Sequence, residues 1–511
     1  MEKLSALDAT FIYLESEHSP MAIGGVYVID AKDVPGGFSY NSWYTLVGKR
    51  LKLSTVFRQR LVEVPLALSF PYWINDPDFD LKKHLPSVSL PEPAGMAELM
   101  QLAASAWSRM LDRERPLWDI TFVSGVDTIS GISKGSFALI TRVHHAAVDG
   151  KASTEMMTAI LDATSEIRNV GDEDGWVAEK LPSTLGVIGQ SWSKAASKVV
   201  ELAEFVGKTT LDTVNLRIDK QLKEAEPPPR ILSAPPTLFN QPIASERTFW
   251  GRNFDFDRLR AIRKSVPGVT INDVVLAICA GGLRNYLAER DELPKEPLVA
   301  MAPISVRGGQ EGTGNQVSAM LVSLATDSGD ALKRLERIRA NTQRSKVHAS
   351  ALPANRITDF LPSETLAAAA RVYTRTRLGG RHRPFFNVTI TNVPASPFPL
   401  YVAGARIHSM FGMAPILDGL GLILVVVSYD GKLSIGITSC KQIVPDPSHL
   451  AECFAGSLLE LEDAVKLADP ARLASGLDSQ PEQPHGRERP LKSFHDACEA
   501  LEKAMESLED E

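Results

Sequence analysis

The chain has 511 residues, 44% apolar and 23% charged, with 55 basic against 62 acidic residues and a formal net charge of -7. That length gives a prior of two or more domains with ample material for a large core, in the composition of an ordinary soluble globular protein. The acidic balance speaks against a general nucleic-acid binder, whose affinity needs a positive footprint.

In the first part of the chain, residues 24–30 read as a strand, and 57–61 lead into an acidic, aromatic loop at 73–80. Met96, Leu99, Met100, Ala103 and Trp107 fall at helical spacing within 96–110, a helix region that Pro116 closes. Pro116-Leu117-Trp118 precedes a strand at 120–123 and reads as a rigid corner with a buried Trp, with substrate contact as the other reading. An apolar run at 137–143 forms the second strand of a hairpin with 120–123 and delivers His144 and His145 to its end. Gly150 breaks the chain before a helix that starts at Ser153 and runs to Ala163. Only three residues separate His145 from Asp149, so a tight turn gathers an imidazole, a carboxylate and a permissive glycine in one small volume. That combination suits a general base. A histidine packed in the core would leave the same trace, as would a metal ligand, although neither His-Glu-x-x-His nor a paired-cysteine spacing accompanies the pair.

Between 165 and 246 the pattern changes. Leu185, Ile188, Trp192, Ala195, Val199, Leu202 and Val206 form one apolar stripe of a long helix. It reads as core or interdomain strut, or as an amphipathic face that rests on a lipid surface or a second subunit. Glu224-Ala225-Glu226-Pro227-Pro228-Pro229 ends the segment as a stiff linker.

The second half opens with a strand at 247–250 and a helix near 256–265. Thr270-Ile271-Asn272-Asp273 begins another helix, in which Thr270 or Asn272 can cap the first turn and Asp273 suits the positive end of the dipole. Residues 299–307 are an apolar strand ending in Arg307, either a surface residue or one suited to a bidentate pair with a buried carboxylate. Arg371, Arg375, Arg377, Arg381 and Arg383, with His382, make a basic cluster, read as a solvated face or a phosphate-binding patch. A strand at 386–394 carries Thr391 and Asn392 into a Pro-bounded turn, and 425–429 with 433–438 form a hairpin around Asp430-Gly431. Asp446-Pro447 caps a helix to Leu467, and from Gly476 the chain turns polar, ending in a short acidic helix. The four cysteines, Cys279, Cys440, Cys453 and Cys498, have no metal or redox spacing, which with the absence of a signal-peptide pattern predicts a reduced, cytoplasmic chain. The longest apolar run, 420–427, is far short of the roughly 20 residues of a membrane helix, so any membrane attachment is expected to be peripheral.

His144-His145-Ala146-Ala147-Val148-Asp149-Gly150 resembles the His-His-x-x-x-Asp-Gly signature of the CoA-dependent acyltransferase superfamily. Leu4-Ser5-Ala6-Leu7-Asp8-Ala9-Thr10-Phe11, Pro20-Met21-Ala22-Ile23-Gly24-Gly25, Pro116-Leu117-Trp118, Asn272-Asp273, Pro303-Ile304-Ser305-Val306-Arg307 and Thr391-Asn392-Val393-Pro394 narrow it. They are similar to the bacterial wax ester synthase/acyl-CoA:diacylglycerol acyltransferases, in the family's order from about Leu4 to Leu467.

The resemblance implies an α/β fold of two chloramphenicol-acetyltransferase-like mixed-sheet domains, with the active site in an interdomain tunnel and a helical crossover linker. The divisions are an N-terminal acyltransferase domain at 1–164, the crossover at 165–246, a C-terminal acyltransferase domain at 247–475 and a polar tail at 476–511. The implied reaction moves a long-chain acyl group from acyl-CoA, a substrate, to diacylglycerol or a fatty alcohol, with no cofactor and no metal. His145 is the implied base, His144 a neighbour that orients it or simply packs, and Asn272 an active-site residue and first choice as oxyanion donor. Asp149 is implied to pair with Arg307 and hold the catalytic loop, with Gly150 and Asp273 in support. Pro116, Leu117, Trp118, Thr391 and Asn392 are implied near substrate, and Arg375 and Arg377 near the CoA phosphates. Other members of the superfamily use the same loop on amines, sugars or polyketide hydroxyls. A non-catalytic lipid-binding or lipid-droplet coat protein is the rival from another class, against which the intact His145, Asp149 and Asn272 speak. The expected partners include a peripheral membrane or lipid-inclusion surface and no nucleic acid, with homo-oligomerisation open.

Overall fold

A computed structural model describes residues 2–65, 69–148, 150–171, 173–180, 234–305, 317–349 and 383–468. Asp149, Arg307, Arg375, Arg377, the apolar stripe at 185–206, the proline linker and the polar tail lie outside the described residues.

The first half contains β1 (Glu2–Lys3), α1 (Ala6–Leu14), β2 (Ala22–Asp30), α2 (Tyr40–Arg50), β3 (Gln59–Val62), β4 (Tyr72–Asn75) and β5 (Ser87–Ser89). It continues with α3 (Met96–Trp107), β6 (Trp118–Ser124), β7 (Phe137–His144) and α4 (Gly150–Ile160). The second half contains β8 (Arg247–Asp255), α5 (Phe256–Ser265), α6 (Ile271–Ala288), β9 (Val299–Ser305), β10 (Val317–Ser323) and α7 (Ala331–Ala349). Its later elements are β11 (Val388–Pro394), β12 (Tyr401–Val402), β13 (Ala405–Met413), β14 (Leu422–Tyr429), β15 (Lys432–Cys440) and α8 (Pro447–Ala468).

Two six-stranded mixed sheets result, ordered β12-β13-β2-β7-β6-β5 and β10-β9-β11-β14-β15-β8, beside a three-stranded β1-β4-β3 sheet. The apolar run of β14 is explained by its place: β11 flanks it in parallel, β15 in antiparallel, and nearly every residue is buried. Asp430 and Gly431 close the β14–β15 hairpin with φ of 46° and 73°, the two positive values of a tight two-residue turn. The all-round apolar α6 is correspondingly buried along most of its length.

The first sheet is completed by the last third of the chain. β13 pairs antiparallel with β2, from Arg406 opposite Asp30 to Met413 opposite Gly24. One face of β13 lies directly on the second sheet, because the contact points are glycines. A Cβ on Gly436 would sit 2.1 Å from the Gly412 carbonyl oxygen, and one on Gly412 would sit 2.3 Å from a Val425 methyl. Arg247 adds a polar tie between the halves, its N–H donating to Ser108 Oγ at 2.9 Å and its guanidinium to the His18 carbonyl. One apolar core consequently includes Ile29, Trp118 and Leu139 together with Val275, Leu424 and Phe454.

Several boundaries differ from the sequence reading. The helix after the histidines begins at Gly150 instead of Ser153. The reversal is made earlier, by a 3-10 turn at His145–Ala147 that Ala146 N–H fixes by donating to His144 Nδ1 at 3.0 Å, so glycine is not needed as the breaker. α3 stops at Trp107, where Ser108 closes it by bonding back to Ala104, well before Pro116. No helix among the described residues is long and apolar enough to cross a membrane.

Gly436→Val should lower unfolding stability by about 1–3 kcal/mol through overpacking. Urea denaturation checks this, with the midpoint falling at unchanged slope.

Candidate active site

The histidine pair hangs on β7, held from both flanks. Ala22 of β2 lies opposite His144, and Trp118 of β6 lies opposite Val143. At the strand end, His144 N–H donates to the Leu117 carbonyl at 2.9 Å and His145 N–H to the Met21 carbonyl at 2.8 Å. Gly24 makes the close pairing of β2 and β7 possible, because at its φ of 149° a Cβ would stand 2.1 Å from the Thr141 carbonyl oxygen. Arg142 locks the same strand to its neighbours: its Nε donates to Asp119 at 2.9 Å and its Nη1 to the Arg109 carbonyl at 2.9 Å.

The two histidines have different surroundings. His144 is fully buried, and its Nδ1, accepting from Ala146, leaves a neutral ring's proton on Nε2. That Nε2 faces Glu15 Oε1 at 3.5 Å, a charge contact too long for a good hydrogen bond. His145 is half-buried at the start of the 3-10 turn, and its ring stacks on Phe11 of α1 with centroids 3.8 Å apart and planes 17° apart. Burial pushes the His145 imidazole below its ordinary pKa, and neighbouring His144 lowers it further. Its buried Nδ1 has no hydrogen-bond partner among the described residues.

Glu15, absent from the sequence reading, is the fixed charge of this region. Its side chain is 1% exposed and receives Met21 N–H on Oε1 at 3.1 Å and Arg113 Nε and Nη2 on Oε2 at 3.1 and 2.9 Å. Burial alone would raise its carboxyl; contacts with His144, Arg113 and Met21 outweigh that and hold it below the usual range. Met21 thus anchors Glu15 through its N–H and His145 through its carbonyl. The signal available in sequence was the stretch Leu4 to Gly25, whose two motifs flank Glu15; a single glutamate after a helix carries no periodicity that announces burial.

The other predicted residues fall in distinct places. Leu117 and Trp118 are 1% exposed, Leu117 lending its carbonyl to His144 while Trp118 donates Nε1 to the Phe57 carbonyl and stacks on His84 at 4.5 Å. Pro116 is buried beside them. Thr270 is the N-cap of α6, accepting from Asp273 N–H, and Asp273 returns two acceptor contacts to Thr270 and one to Thr342 Oγ1 at 2.6 Å. Asn272 is the second residue of that helix, half-buried, and no hydrogen bond joins it to the histidine loop among the described residues. Thr391 and Asn392 lie on β11 opposite Val425 and Val426, with Thr391 Oγ1 buried without a partner among the described residues and Asn392 exposed. Gly150 opens α4. The pairing of Asp149 with Arg307 and the placing of Arg375 and Arg377 fall outside the described residues.

The sequence matches the wax ester synthase/diacylglycerol acyltransferase catalytic domain over residues 4–275 and the C-terminal domain of the same family over 313–462. A Mycobacterium tuberculosis protein named as a diacylglycerol O-acyltransferase is 33% identical over 471 residues, covering 90% of this chain and 90% of that protein. The O-acyltransferase WSD of Acinetobacter baylyi is 30% identical over 476 residues, covering 91% of this chain and 97% of that one. In structure the chain is similar to the wax ester synthase/diacylglycerol acyltransferase from Marinobacter aquaeolei VT8, with a TM-score of 0.65, 27% identity and coverage of 91% and 100%. The first condensation domain of the calcium-dependent antibiotic synthetase, at TM-score 0.51, 14% identity and coverage of 92% and 97%, shares the fold.

Two measurements follow from the geometry. A general base at His145 would lose activity only on protonation, which burial disfavours, so kcat/KM should hold constant down to pH values below the ordinary imidazole pKa of about 6.5 and only then fall; an acid limb at or above it would speak against that role. Glu15→Gln should cost about 1–3 kcal/mol of stability in denaturant titration, since Arg113 keeps its charge and loses its buried partner.

Proposed function

The chain belongs to the wax ester synthase/diacylglycerol acyltransferase family and is an acyl-CoA-dependent O-acyltransferase, and on that premise we propose how its residues carry the reaction. The acyl donor is a long-chain acyl-CoA thioester and the acceptor is the hydroxyl of diacylglycerol or a fatty alcohol, giving a triacylglycerol or a wax ester. The acceptor oxygen attacks the thioester carbonyl carbon while His145 takes its proton. The new C–O bond forms, the tetrahedral intermediate collapses with loss of the C–S bond, and the imidazolium returns the proton to the departing CoA sulfur. Asn272 donates to the developing oxyanion. Asp149 pairs with Arg307 and holds the loop, with Gly150 and Asp273 supporting. The thioester is already activated, so the reaction needs neither a cofactor nor an acyl-enzyme.

The observation that carries this reading is the state of His145: half-buried, pushed toward the neutral form and fixed by its own backbone at a strand end. A neutral imidazole can accept a proton and later give it back at neutral pH. The geometry supports a more limited part for His144, whose ring nitrogens face Ala146 N–H and Glu15. Around this centre, Thr391 and Asn392 lie near substrate, Arg375 and Arg377 receive the CoA phosphates, and the apolar stripe at 185–206 serves as core or interdomain strut, with a membrane or lipid inclusion, or a second subunit, as its alternative partner. The acyltransferase domains divide at 1–164 and 247–475 across the 165–246 crossover, with the active site in a tunnel between them.

The test is CoA thiol release from palmitoyl-CoA with hexadecanol, dioleoylglycerol or no acceptor. Release should require an acceptor, and His145→Ala should reduce it roughly a hundredfold or more. Full activity in the variant would remove His145 as the base, and silence of the wild type with both acceptors would remove the acceptor assignment.

A further inference from the structure

At the opposite end of α6 from the Thr270 cap, a second cluster of chemically distinctive side chains joins two helices. Glu289 is the C-cap of α6, while His449 and Cys453 stand four residues apart in the first turns of α8 and therefore share one face. His449 Nε2 lies 2.6 Å from Glu289 Oε2, Cys453 Sγ lies 3.9 Å from that Nε2, and the same sulfur lies 4.0 Å from Glu289 Oε1. One ligand atom from each residue falls within 4.8 Å of the others. A tetrahedral zinc ion with bonds of about 2.0–2.3 Å keeps its donor atoms about 3.3–3.7 Å apart, so the three contacts bracket the spacing it requires.

We propose that Glu289, His449 and Cys453 form a binding site for a divalent transition ion of zinc's class, with water in the fourth position. The donor set is the argument: thiolate, imidazole and carboxylate together favour zinc over the hard cations, which take oxygen ligands. Burial is graded to match, with Cys453 buried, His449 half-buried and Glu289 exposed, so that the cluster has a protein-packed base and an open side for an entering ion. The backbone N–H of His449 donates to Asp446 Oδ1 at 3.1 Å in the first turn of α8, and its ring lies 6.1 Å from that of Tyr286, on which the Arg290 guanidinium also packs, 3.6 Å from the centroid. With two anionic ligands the bound ion is neutralised locally. The ion staples the end of α6 to the start of α8.

The probe is cobalt(II) added to the chelator-treated full chain, read by the thiolate-to-cobalt charge-transfer absorption, with zinc stoichiometry measured in parallel by elemental analysis after dialysis. One ion per chain, with the sulfur band present, is the expected result. Cys453→Ser should abolish the band, and His449→Ala should weaken binding by at least about 10–100-fold. Glu289→Gln, at an exposed position and with circular dichroism as the check on folding, should weaken it too. Zinc should raise the thermal midpoint of the wild type and leave that of Cys453→Ser unchanged. Absence of the band in the wild type, or a band and affinity unchanged in the folded Glu289→Gln and Cys453→Ser variants, overturns the site.

Discussion

Two backbone hydrogen bonds at one strand end govern this molecule. His144 N–H to Leu117 and His145 N–H to Met21 attach the end of β7 to the chain on either side of it, and they fix which histidine points where. Side chains alternate along a strand, so a slip of one residue would exchange the buried and the accessible imidazole. The register from Ala22–His144 down to Ile29–Phe137 on one flank, and from Trp118–Val143 on the other, leaves no room for that exchange. The elements beyond act through this clamp: Gly24 lets β2 come close enough to pair, Trp118 ties β6 to the Phe57 carbonyl, and Arg142 binds β6 and the segment just after α3 to β7.

The electrostatic design complements the mechanical one. A buried imidazole is pushed toward neutrality because its charged form loses hydration, and His145 follows that rule. Next to it sits a buried carboxylate, which on burial alone would tend to take up a proton. Glu15 stays anionic because Arg113, Met21 N–H and His144 surround it. The negative charge thus faces His144, and the accessible ring is left without a carboxylate among the described residues.

The sequence was most legible where local chemistry decides structure. The Asp430-Gly431 turn, the Thr270 cap, the helix at 256–265 and the apolar strand of the histidines follow from residue types at short spacing. Pairings that span long separations were hidden. Nothing in residues 401–413 says that they complete a sheet begun by residues 22–30, since strand periodicity names a face and not a partner. Glu15 was missed for the same reason: its partners Arg113 and His144 are remote in sequence, and a glutamate is expected at the surface unless paired. Glu289, His449 and Cys453 share that fate, the first two standing 160 positions apart. The start of helix α4 is hidden in the same way, because the 3-10 turn at His145–Ala147 reverses the chain before Gly150 and leaves that glycine's breaking tendency without effect.

The loan of β13 to the first sheet has a temporal side. During synthesis, β2, β7 and β6 leave the ribosome together, while the strand that covers the outer edge of β2 ends only at Met413. At about 5–20 residues per second, that edge waits tens of seconds for its partner. An unpaired edge of apolar β-structure is a template for another chain. The sheet that carries the histidine pair is therefore completed late, after most of the chain has been made, and until then the outer edge of β2 is open to pairing with another copy.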